Sequence, residues 1–123
     1  MWEISQETVV SAVHQLRAGP GRDDRVHGHK WRIKAVVQAK ELDESGWVLD
    51  FNALGAAMRD LVEPYEGRFL NELPPFDDLN PTREIIARVF ADKLAAKIDD
   101  GRVRVARVEI WENEARCATY FRS

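Results

Sequence analysis

The chain predicts an α+β fold in the order ββααββ: a four-stranded antiparallel sheet with two helices on one face. Three observations carry this. Residues 26–40 alternate with a period of two. Two apolar stripes at helical spacing follow between residues 50 and 98. Two further strands close the chain around Asn113-Glu114. Two hairpins flanking a helix pair give an antiparallel sheet covered on one side.

Residues 2–16 read as the first strand. Residues 17–25, Arg-Ala-Gly-Pro-Gly-Arg-Asp-Asp-Arg, are rich in turn formers and charge and read as a loop. On the second strand the odd positions are His27, His29, Trp31, Ile33, Ala35, Val37 and Ala39, and the even positions are largely polar. Asp43-Glu44-Ser45-Gly46 reads as a turn, and Asp50 as the cap of a helix. That helix carries Phe51, Leu54, Met58, Leu61, Val62 and Tyr65 on one face, with Pro64 at its end. A second helix is expected from Asn80-Pro81, Asn as cap and Pro in the first position. Its face is Ile85, Ile86, Val89, Phe90, Leu94 and Ile98, and Gly101 follows its end. The last strands are expected at about 103–112 and 115–122, with Ala106, Val108, Ile110 and Glu112 sharing a face. Glu112 then ends an apolar stripe, an unfavourable place for a carboxylate without a partner.

The 123 residues fit one domain, 1–123. A net charge of −3 gives no basic footprint, so nucleic acid is not an expected partner. No apolar run reaches the length of a membrane span, and residues 1–12 lack signal-peptide features. Cys117 is the one cysteine, which excludes an internal disulfide and points to a cytoplasmic setting. Its expected role is packing.

All three histidines suit one metal ion. His27 and His29 are two residues apart on a strand and point to the same face. His14 can join them from a paired strand. Three protein nitrogens with a fourth position open is the arrangement of a catalytic zinc.

With these residues in place, the chain resembles the 6-pyruvoyl-tetrahydropterin synthase and 6-carboxytetrahydropterin synthase family, with its tunnelling fold. The matches run in order: His14, His27-Gly28-His29, Gly46-Trp47-Val48-Leu49-Asp50-Phe51, Leu70-Asn71, Asn80-Pro81-Thr82-Arg83-Glu84, and Glu112. The resemblance implies Zn2+ held by His14, His27 and His29, and a pterin ring anchored by Glu112. A carboxylate can accept the paired hydrogen bond of the ring's amino and NH edge. It also implies a homohexamer, two stacked trimers with sites at subunit interfaces.

Two positions depart from the family pattern. Its synthases carry a catalytic cysteine four residues before the first histidine of His-Gly-His; this chain has Asp23. Its Asp-His relay before Leu-Asn is here Glu66-Gly67. Asp23 and Glu66 are therefore the candidate catalytic residues. The readings that follow are a zinc-dependent lyase acting on 7,8-dihydroneopterin triphosphate or a related pterin, the ordinary synthase reaction run without the thiol, and a catalytically weak zinc- and pterin-binding homologue. Losing members of a cooperative proton-transfer unit counts against the second.

Overall fold

The structure is a computed structural model and describes residues 1–17 and 25–123. The elements are β1 (Trp2–Gln15), β2 (Val26–Ala39), α1 (Phe51–Val62), α2 (Arg83–Ile98), β3 (Val103–Asn113) and β4 (Arg116–Phe121). The strands form one antiparallel sheet in the order β1-β2-β3-β4. The helices share one face of it, α1 against β1 and α2 against β3 and β4. The expected ββααββ architecture is therefore present. Among the described residues no helix is long and apolar enough to cross a membrane.

Alternation builds the covered face. On β2, Trp31, Ile33, Ala35, Val37 and Ala39 are buried. Val10 pairs with Trp31 and Ile110 with Ile33 in the same layer. The helices supply Leu54, Met58 and Leu61 from α1, and Ile86, Phe90 and Leu94 from α2. Ala87, Ala91 and Ala95 are also buried on α2, and such small side chains let a helix approach its neighbours closely.

Asp50 caps α1 as expected, its carboxylate accepting from the Asn52 N–H at 2.8 Å. Phe51 departs from the expected stripe. It is 52% exposed at the first helical position, before the helix has turned into the core. Pro64 stands in a short 3-10 turn, Glu63–Tyr65, that continues from α1. The start of α2 differs from the sequence reading. Thr82, not Asn80, is the cap, its hydroxyl accepting from the Ile85 N–H at 3.2 Å. The Asn80 side chain is used elsewhere, as shown below. The β3–β4 turn falls at Glu114-Ala115, one residue later than expected, with the Asn113 side chain accepting from the Ala115 N–H at 2.8 Å.

Two bulges change β3. Val36 pairs with Arg107 and Val37 with Val105, so Ala106 is an extra residue. Val103 and Val105 face the core before it, Val108 and Ile110 after it. Ala106 therefore does not continue the stripe of Val108 and Ile110, because the inserted residue reverses the parity. A second shift lies between Trp111 and Asn113, which pair with the consecutive residues Cys117 and Arg116. It leaves Glu112 as the inserted residue. Cys117 is exposed on β4, not packed, with its sulfur 3.6 Å from the Thr119 hydroxyl.

Candidate functional site

The three histidines gather at one end of the covered sheet face. His14 stands directly opposite His27 in the β1–β2 ladder, and His29 opposite Ala12. Ring centroids are 4.8 Å apart for His14 and His29, 6.0 Å for His27 and His29, and 6.2 Å for His14 and His27. Trp31, the next position along the face, stacks on His29 at 5.3 Å and meets His14 edge-on at 5.2 Å. It walls the cluster off from the core.

The turn between α1 and α2 fixes the end of β1. Its edge would otherwise present unpaired backbone groups. Ser11 donates its N–H to the Glu66 carboxylate at 3.0 Å and accepts from the Gly67 N–H. Val13 donates to the Arg68 carbonyl at 3.0 Å. Beyond that, two side-chain amides imitate a neighbouring strand. Asn71 accepts from the Gln15 N–H and donates to the Gln15 carbonyl, both at 2.8 Å. Asn80 does the same for Arg17, at 2.8 and 3.1 Å. The Leu-Asn and Asn-Pro positions thus hold the strand that carries His14. Gly67 has φ +68°, a left-handed backbone that favours glycine at this position.

His14 is 1% exposed, and its Nδ1 lies 2.8 Å from the Pro81 carbonyl. A carbonyl only accepts, so Nδ1 carries the proton and Nε2 keeps its lone pair. Burial, and then the neighbouring His29, His27 and Arg83, hold the His14 pKa below its ordinary value despite the Pro81 bond. Burial is also the leading cause that lowers His29, with Glu112 opposing it and Arg83 and His27 assisting. Both are therefore neutral at pH 7.

Glu112 joins this group. One oxygen lies 3.4 Å from His29 Nδ1, the other 3.2 Å from Arg83 Nη1. That second oxygen, Oε2, is buried and has no hydrogen-bond partner. The Arg83 contact is a charge pairing without a directed bond.

The sequence-predicted residues divide as follows. His14, His27, His29 and Glu112 come together. Glu66 is exposed and bound to the β1 edge. Asp23 lies outside the described residues. Arg83 and Trp31 were not singled out in the sequence. Trp31 had a signal, as the next inward position after His29; Arg83 had none, because helix and strand meet only in the fold. His14, His27 and His29 are the residues that could hold a metal. Among the described residues, however, no three His, Cys, Asp or Glu side chains already stand as a metal-binding group.

Fold and site together define an α+β protein of ββααββ order whose inner sheet face ends in three imidazoles and a carboxylate. The family model described as 6-pyruvoyl tetrahydropterin synthase matches residues 3–123, and the chain belongs to that family. It is 32% identical over 126 residues to a 6-carboxy-5,6,7,8-tetrahydropterin synthase of Synechocystis sp., covering 98% of this chain and 94% of that protein. It is 30% identical over 119 residues to the Bacillus subtilis protein of the same description, covering 92% and 79%. The structure of Caenorhabditis elegans 6-pyruvoyl tetrahydropterin synthase superposes with a TM-score of 0.81 at 23% identity, covering 100% and 98%. That of the Plasmodium vivax synthase gives 0.81 at 18%, covering 99% and 98%. Both show the shared fold. At family level the function is of the pterin-synthase kind.

Proposed function

We propose that this protein is a zinc-dependent lyase acting on 7,8-dihydroneopterin triphosphate or a related pterin. The carrying observation is the meeting of three imidazoles with Glu112 at one end of the sheet face. The donor set suits zinc. His14 is neutral with Nε2 free, and its other nitrogen is held by a backbone carbonyl, which fixes the ring and its tautomer as is common for a metal-bound histidine. Zn–N bonds of about 2.0–2.1 Å in a tetrahedral site space ring centroids by roughly 5 Å. The separations of 4.8 to 6.2 Å are near this. When bound, zinc supplies Lewis acidity toward side-chain oxygens of the pterin.

In this reading Glu112 accepts the paired donors of the pterin ring, and its unfilled oxygen favours that role. Trp31 shields the imidazoles from the core side. Asp23 takes the thiol's position as base, with Glu66 in the place of the relay aspartate. A Plasmodium vivax synthase is described as having a glutamate as a catalytic residue. A free carboxylate near pKa 4 is a weak base unless burial raises it. The second reading, a zinc- and pterin-binding homologue with little turnover, is favoured by Glu66 being bound to the Ser11 N–H. The assembly is a homohexamer of two trimers in a cytoplasmic setting.

Metal analysis and an activity assay test this. We expect one zinc per chain, lost in His29→Ala, and slow or absent conversion of dihydroneopterin triphosphate to the usual synthase products. Full zinc occupancy in His29→Ala would overturn the ligand set. Turnover near the typical enzyme value of about 10 per second would show that other residues supply the proton chemistry.

A further inference from the structure

Arg83 opens α2 directly after its Thr82 cap, beside the Pro81 carbonyl that holds His14. Its Nη1 is 3.2 Å from Glu112 Oε2, and its side chain is 30% exposed. Among the described residues the guanidinium meets no other carboxylate and makes no hydrogen bond. A guanidinium has five N–H donors, so most are free for a ligand. A buried carboxylate oxygen with no hydrogen bond lies against it. Donor and acceptor thus stand side by side, both under-used, at the end of the histidine face.

We infer that Arg83 is a specificity-determining residue that reads the 4-oxo group of a 2-amino-4-oxo pteridine while Glu112 reads the adjacent NH groups. This rests on the pterin reading above. The edge of such a ring presents two neighbouring donors, the 2-amino group and N3–H, and then an acceptor, the 4-oxo oxygen. A carboxylate matches the first two. A cation immediately beside that carboxylate falls next to the third. Glu112 alone selects donors; Arg83 adds the requirement that an acceptor follow them. A ring with a 4-amino group turns N–H toward the guanidinium and leaves donors facing donors. A site with buried polar groups rejects such a mismatch strongly. Arg83 also balances the charge of Glu112, so a neutral ring enters without leaving a lone buried carboxylate.

The test is calorimetric titration of the wild type, Arg83→Met, Arg83→Gln and Glu112→Gln. The ligands are neopterin and its 2,4-diamino counterpart, in neutral buffer, where both are uncharged and neopterin keeps its N3–H. The wild type should prefer neopterin. Arg83→Met should weaken neopterin by about tenfold and leave the diamino compound as tight or tighter, so the preference shrinks by at least that factor. Arg83→Gln keeps an N–H donor and should recover part of the preference, which a purely structural role would not produce. Thermal unfolding checks that each variant is folded; Arg83→Gln carries the test if Arg83→Met is not. An unchanged preference in the folded Arg83 variants, with neopterin weakened in Glu112→Gln, overturns the role of Arg83 and leaves the pterin reading standing. No neopterin binding by the wild type, or no loss in Glu112→Gln, overturns both.

Discussion

Glu109 and Glu112 stand three residues apart on β3, on opposite faces of the sheet, and are held in opposite ways. Glu109 accepts from Arg107 Nε at 3.0 Å and from Trp111 Nε1 at 2.9 Å, and pairs with Lys34 across the ladder. Burial pushes its pKa up, but the bonds from Trp111 and Arg107 and the charge of Lys34 outweigh it and hold the carboxyl below its ordinary range. Both oxygens of Glu109 have partners. Glu112 keeps Oε2 buried with no hydrogen bond, beside one cation and one neutral imidazole. The first carboxylate completes the scaffold. The second retains interaction energy that a ligand's donors can claim. A polar group's unmet bonds, more than its burial, separate the two roles.

The two carboxylates should differ most in what they contribute to stability. Glu109→Ala removes one acceptor from two donors and should destabilise the fold by about 2 kcal/mol, read by urea unfolding. Glu112→Gln should cost well under half of that, because Arg83 is partly exposed and water can take over the contact. Equal losses at the two positions would contradict the division.

Acid should sharpen it, with a smaller effect. In metal-free protein the lowered pKa values of His14 and His29 mean that the unfolded chain binds protons first. Their share of stability is present above the ordinary histidine value of about 6.5 and is lost as pH falls from there toward the folded values. The Glu109 share survives that step. Its folded pKa is depressed, so it is lost only as pH falls below the ordinary carboxylate range and through the folded value. Urea midpoints against pH should show two declines, and Glu109→Gln should flatten the lower one alone. A single decline unaffected by that substitution would contradict the assignment.

The inward face of β2 was legible in the sequence because an uninterrupted strand keeps its period, and His27, His29 and Trp31 lie on it. β3 was legible only in part. The insertion at Ala106 reverses parity at a point that hydrophobicity does not mark, so Val105 and Val108 are both inward. Glu112 still fell on the right side: although it is the inserted residue of the second bulge, its carboxylate reaches His29 and Arg83. Asn80 read as a helix cap, a role its residue type favours, but the open edge of β1 competes for the same amide and Thr82 serves the helix. Arg83 and the Pro81 carbonyl were not legible. Their importance depends on which strand end lies beneath the start of α2, a tertiary fact. Asp23 falls outside the described residues and stays a proposal from its position in the motif.

The most direct measurement is calorimetric titration of neopterin into the wild type and Glu112→Gln, with zinc measured in both. Glu112 would supply a charge-assisted, paired contact in a partly enclosed site, so its loss should weaken binding at least about tenfold. Zinc content and the unfolding midpoint should stay close to those of the wild type, since Glu112 is neither a proposed metal ligand nor a fully bonded scaffold group. Unchanged neopterin affinity in Glu112→Gln would contradict the account at its centre: the unfilled oxygen of Glu112 would then not be where the pterin is held.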